Sequence, residues 1–204
     1  LKEFYDIYYW PNNATVSIVG DVDTKEGLAL VKKYFGKIRK SKHKIPTVYT
    51  TEPEQEGQRR VMLNRVGQQG VVGVAYKSPP VTDEDMAPMI VLGQILGSGK
   101  NSRFYKQITD KGLVTSMSAS PSKFKYEGLF EIYASLTPGT KHEKVEELII
   151  KELEKVKNNG VKEKELQKAK TKLITSRLFS QDGSYAIASG LNEAIAGGDW
   201  TLYT

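Results

Sequence analysis

An α+β fold, a mostly antiparallel sheet covered by helices on one face, is what this sequence predicts, and three observations predict it. Short β-branched and apolar segments come in hairpin-like pairs, at 59–66 with 71–76 and at 114–120 with 129–136. Between and after these pairs lie segments whose apolar residues recur every three to four positions, the mark of helices with one buried face. From residue 58 onward the order is strand, strand, helix, helix, strand, strand, helix, helix, which a parallel sheet with single crossover helices would not give.

Residues 1–10 are aromatic-rich and read as the end of a helix, stopped by Pro11, Asn12 and Asn13. Residues 14–19 are β-branched and apolar enough for a buried strand, closed by Gly20 and Asp21. A helix over 24–38 follows, with Thr24 as N-cap and Leu28, Val31, Tyr34 and Phe35 on a core-facing stripe. Composition then turns to Lys, Pro, Thr and Glu without periodicity, which marks a linker. The predicted division is 1–40 as the end of one α/β domain, 41–57 as linker, and 58–204 as a second α+β domain.

Within the second domain, residues 59–66 alternate as a strand with one wet face, and 71–76 is a continuous apolar strand ended by Pro79 and Pro80. Thr82 or Asp83 caps a helix carrying Met86, Met89, Ile90, Ile95 and Leu96 up to the break at Gly97, Ser98 and Gly99. A further helix spans 101–110, with Phe104, Tyr105 and Ile108. The strands at 114–120 and 129–136 form a hairpin. A helix over 141–158 then stripes Val145, Leu148, Ile149, Leu153 and Val156, and one over 163–179 turns Leu166, Ala169, Leu173 and Leu178 inward. Residues 184–204 are rich in Ala and Gly and helical at least to Ala196.

Composition excludes much chemistry. The 204 residues contain no Cys, which removes disulfides, thiolate zinc sites, iron–sulfur clusters and Cys nucleophiles. The two His, His43 and His142, lack the partners that zinc motifs require, because Glu146 stands where a zincin helix needs its second His. His142 therefore reads as a solvated residue in the first turn of a helix. No metal site and no catalytic residue can be assembled from spacing. Gly97–Lys100 lacks the first Gly and the hydroxyl of a phosphate-binding loop, and the segment from Asp21 places Lys32 where a calcium loop needs Glu. The net charge of +6 includes a run at 37–44 without interleaved aromatics, which reads as a solvated linker and not as a nucleic-acid patch. No window has the length of uncharged apolar sequence that a membrane span needs.

Taken in order, several motifs resemble one family. They are Phe4-Tyr5-Asp6-Ile7-Tyr8-Tyr9-Trp10-Pro11-Asn12-Asn13-Ala14-Thr15, Ser17-Ile18-Val19-Gly20-Asp21-Val22-Asp23, Val74-Ala75-Tyr76-Lys77-Ser78-Pro79-Pro80, and Val91-Leu92-Gly93-Gln94-Ile95-Leu96-Gly97. Asn101-Ser102-Arg103-Phe104-Tyr105, Lys111-Gly112-Leu113 and Glu165-Leu166-Gln167-Lys168-Ala169-Lys170 follow. Together they resemble the pitrilysin/insulinase-like zinc metallopeptidases, in the region downstream of the zinc motif. The resemblance implies a clamshell of two similar α/β domains around a chamber holding an extended peptide. In active members an inverted His-x-x-Glu-His motif and a later Glu bind zinc, and the motif's Glu activates the metal-bound water.

This chain has no such motif, so the resemblance implies zinc in a parent protein and none bound here. It also implies a substrate-binding Arg at Arg103, with Thr115 standing at the family's Tyr position. The expected partners are a peptide and a zinc-bearing half-domain of the same chain or of a paired subunit. The chain, starting at Leu1 inside a predicted helix, reads as a segment of a longer metalloendopeptidase, inactive alone. The alternative, favoured by Thr115, is a non-catalytic paralogue serving as a scaffold or processing-complex subunit. A Cys-free chain is compatible with a bacterial periplasmic or envelope setting.

Overall fold

The computed structural model of the chain describes residues 1–47, 53–67 and 69–203. It divides into two compact units, Leu1–Arg65 with Gly183–Asn192, and Val66–Asp182 with Glu193–Thr204. No helix among the described residues is long and apolar enough to cross a membrane.

The first unit begins with α1, Lys2–Tyr8, on which the rings of Tyr5 and Tyr9 stack at 4.6 Å and those of Phe4 and Tyr8 meet at 4.7 Å. Pro11–Asn13 makes a single 3₁₀ turn, and Asn13 Nδ2 donates back to the Tyr8 carbonyl at 2.9 Å, satisfying an acceptor that the helix end leaves open. The strand expected at 14–19 is not formed. A strand needs a partner for its backbone groups, none of the described residues pairs with this stretch, and Val16 and Ile18 are each 52% exposed. Helix α2, Thr24–Phe35, is capped one residue earlier than Thr24, because Asp23 Oδ1 accepts from the backbone of Lys25 at 2.9 Å and Glu26 at 3.0 Å. Its expected core stripe is not buried. Leu28, Tyr34 and Phe35 lie in the open, and Gly27 is the only buried residue among those described in this unit. The strand expected at 59–66 likewise does not form, and Val61, Met62 and Leu63 are exposed.

The second unit is built on three antiparallel strands, β1 (Val71–Ser78), β2 (Val114–Pro121) and β3 (Gly128–Leu136), in the order β1-β3-β2. Register places Val72 beside Ala134, Val74 beside Ile132 and Ala119 beside Ile132, so one face gathers the apolar positions of all three strands. On that face lie α3 (Met86–Gly97), a π-helical turn at Tyr105–Thr109 and α4 (His142–Asn159), while α5 (Glu163–Ser180) packs on α3. The α+β architecture predicted from the sequence is thus observed, with helices on one side of an antiparallel sheet.

The core of this unit is closed by Leu96, Phe104, Ile108, Ile132, Leu136, Val145 and Ile149, each at most 1% exposed. Burying side chains of this size stabilises by about 1.5–3 kcal/mol each. Helix α3 reaches the sheet through its glycines: a Cβ at Gly97 would lie 2.5 Å from the Ala119 nitrogen, and one at Gly93 would lie 2.8 Å from the Ala119 oxygen. Backbone therefore packs on backbone there. The helix starts later than Thr82 or Asp83, with Asp85 in the N-cap position, while Asp83 Oδ1 accepts from the Asp85 amide in the preceding turn. Residues expected as a helix over 101–110 widen instead into the π turn, which the Asp110 amide closes on the Tyr105 carbonyl at 2.8 Å. In α5, Ala169 is buried as expected, but Leu178 is 66% exposed, beyond the part of the helix that packs on α3. Helix α6, Ser184–Ala196, ends the regular structure before a 3₁₀ turn at Trp200–Tyr203.

Candidate functional site

Arg103 stands at the end of the turn that leaves α3, directly before Phe104, whose burial fixes the backbone there. Its guanidinium grips Glu165 in the first turn of α5 with two bonds, Nε to Oε1 at 3.1 Å and Nη2 to Oε2 at 2.8 Å. Nη2 also donates to the Gly160 carbonyl and Nη1 to Glu152 Oε1 of α4, both at 3.3 Å. The Arg103 side chain is 15% exposed and that of Glu152 7%, and Lys155 Nζ closes on the second Glu152 oxygen at 2.8 Å. The hydrogen bond from Arg103 holds the Glu165 carboxyl below the usual carboxylate range, reinforced by the Lys162 amide. Reciprocally, that bond raises the Arg103 guanidinium above its ordinary value. One arginine thus ties the turn after α3 to α4, to the α4–α5 turn and to α5.

Thr115 occupies a bulge at the start of β2, where the register with β3 shifts between Val114 and Ser116. Its hydroxyl donates to the Ser135 carbonyl at 3.2 Å and accepts from Gln69 Nε2 at 2.5 Å, and Gln69 also donates to the Leu136 carbonyl. The hydroxyl is therefore turned back onto the sheet. Arg103 and Thr115 share no hydrogen-bond partner, so the structure does not join the two residues that the sequence singled out.

Beyond the bulge, the helix-free face of the sheet presents rows set by register: Gly73, Tyr133 and Ser118, then Ala75, Glu131 and Ser120. Tyr133 and Glu131 form an exposed ridge on the middle strand, and the outer strands offer small side chains on either side.

The two histidines lie in different units, His142 exposed at the first position of α4 and His43 in the turn that follows α2. Among the described residues, no three His, Cys, Asp or Glu side chains converge as a metal site would require. The turn that resembles a phosphate loop is engaged internally, because Lys172 Nζ donates to Ser98 O at 3.3 Å and Oγ at 3.2 Å. Spacing missed Glu152. Its signal was present, a carboxylate three residues after Ile149 and seven after Val145, inside an otherwise apolar stripe, where a charge calls for a buried partner.

Comparison with known proteins places this geometry. Residues 1–173 match the family model described as the peptidase M16 inactive domain. The chain is 33% identical over 173 residues to a zinc protease named PqqE from Helicobacter pylori, covering 83% of this chain and 39% of that protein. The crystal structure of a protease from Helicobacter pylori superposes with a TM-score of 0.91 at 28% identity, over 98% of this chain and 49% of that one. A peptidase M16 inactive domain from Pseudomonas fluorescens shares the fold, with a TM-score of 0.77 at 22% identity, over 96% of this chain and 46% of that one. The chain thus spans half or less of the length of these relatives.

Proposed function

The chain belongs to the peptidase M16 inactive-domain family, and from that premise we propose that it is the non-catalytic half of a zinc metalloendopeptidase. In this reading it closes the chamber and shapes the groove for an extended peptide, while hydrolysis belongs to a zinc-bearing half outside these 204 residues. The observation that carries it is the match of residues 1–173 to the peptidase M16 inactive domain in a chain that spans half or less of its relatives' length.

Residues 1–40 are assigned to the end of the zinc-bearing half-domain, 41–57 to a linker and 58–204 to the second domain. The exposed apolar side chains of residues 1–40 support a separate first domain, although the first compact unit extends to Arg65 and takes in Gly183–Asn192. Arg103 lies among the helices with four of its five N–H groups engaged within the chain, so the peptide contact that the family resemblance implies would fall to its remaining Nη1 hydrogen. A second reading, a scaffold subunit without a part in catalysis, is favoured by Thr115, whose short hydroxyl is already committed to Ser135 and Gln69.

The test is cleavage of a quenched extended peptide. The chain alone is expected to be inactive, and the chain joined to a zinc-bearing half active and sensitive to a zinc chelator. Chelator-sensitive cleavage by the 204-residue chain alone would overturn the proposal, and normal activity of the zinc-bearing half without this chain would favour the scaffold.

A further inference from the structure

The positive charge of the protein is concentrated in one place. Between positions 32 and 44 stand Lys32, Lys33, Lys37, Arg39, Lys40, Lys42 and Lys44, with no acidic residue among them. Those seven account for more than the whole net charge of +6: the remaining twenty-three basic and twenty-four acidic side chains nearly cancel. The favourable field at a helix C-terminus explains Lys32 and Lys33, in the last turn of α2, but not the five cations beyond it.

The structure displays this segment openly. All seven cations are exposed, and none of them forms an ion pair with a described residue. The loop is held in place, because the Ser41 amide donates to Asn12 Oδ1 at 3.0 Å and the Ser41 hydroxyl joins the His43 backbone at 2.8 Å. Lys40, Lys42 and Lys44 are thereby carried on a pinned turn. Ile38 stands among the cations, 53% exposed.

From this combination we propose that residues 32–44 form a peripheral docking surface for an anionic phospholipid bilayer. The cations meet the headgroups, and Ile38 enters the boundary between headgroups and acyl chains. Charge complementarity selects an anionic partner. Ile38 decides between anionic partners, since an aliphatic side chain gains from the acyl boundary and gains nothing from a phosphate backbone. This inference is independent of the peptidase reading. It would hold the chain at a membrane surface without spanning it.

Co-sedimentation of the full chain with vesicles tests the proposal. Binding is expected to vesicles of phosphatidylcholine mixed with phosphatidylserine, to be absent with phosphatidylcholine alone, and to weaken as salt shortens the screening length. Each cation near such a surface is worth about fivefold in binding, so replacing Lys37, Arg39, Lys40 and Lys42 together by Gln should cost at least about a hundredfold. The same charge removed as Lys111→Gln, Lys151→Gln, Lys164→Gln and Lys168→Gln should cost little, and Ile38→Ser a smaller, salt-insensitive part. All these side chains are exposed, so circular dichroism should show the fold unchanged. Equal binding to neutral vesicles, an equal loss in both fourfold variants, or tighter binding to a DNA duplex than to anionic vesicles at the same salt would overturn it.

Discussion

Helix α2 in the first unit and helix α4 in the second carry similar amphipathic patterns, yet only α4 buries its stripe. Val145 and Ile149 are inaccessible, packed against β1 and the π turn, whereas Leu28 and Phe35 remain about half exposed. The difference teaches that periodicity states which face of a helix seeks burial and does not supply the surface that buries it. In the second unit the sheet is present. In the first, the stretch at 14–19 has strand-like composition but no strand beside it among the described residues.

The contrast can be broken or sharpened by substitution. The largest effect is expected for Phe104→Ala in the closed core, a loss of about 3–5 kcal/mol, read as a lower urea midpoint by circular dichroism. A loss below about 1 kcal/mol would mean that this core is no better packed than the first unit. Next comes Arg103→Ala, which leaves Glu152 buried with Lys155 as its remaining cation and should cost about 3 kcal/mol.

The same cluster gives a pH dependence. The Glu165 carboxyl is depressed in the folded state, so its contribution is present above the ordinary Glu value of 4.5 and is lost as pH falls through the depressed folded value. Thermal midpoints should therefore drop less steeply below that value in Glu165→Gln than in the natural chain. Equal slopes would remove Glu165 from the acid response.

Smaller still is Gly97→Ala, expected to cost about 1–3 kcal/mol because its methyl meets the Ala119 backbone, while Gly57→Ala, with open space around it, should be nearly neutral. The smallest effect is Leu28→Ala, under about 0.5 kcal/mol in this chain, as for other exposed positions. Measured with the zinc-bearing half present, the same substitution should grow to about 2 kcal/mol or more if that half covers α2. An unchanged value would argue against the proposed division of domains.

Much of the second unit was legible in the sequence because each of its signals is local. Gly128–Leu136 alternates cleanly, Pro79 and Pro80 stop a strand, and Gly160 at φ +66° ends α4 where a side chain would be strained. The site was less legible. Arg103 and Thr115 stood out, but their partners Glu165, Glu152, Gln69 and Ser135 lie between 20 and 62 residues away, and no spacing rule links them. The strands expected at 14–19 and 59–66 failed for a related reason: strand pairing is a property of two segments, and composition describes one.

The sequence by itself determined the α+β class, the stripes of α4 and α5, the hairpin of β2 and β3, and the family to which the chain belongs, because short-range patterning and motif order carry all of these. Only the tertiary structure decided which stripes are buried, that Arg103 is enclosed by two carboxylates, and that Thr115 sits in a bulge with its hydroxyl turned inward. Those outcomes depend on which distant surfaces meet, and burial, ion pairing and register are energies of such meetings.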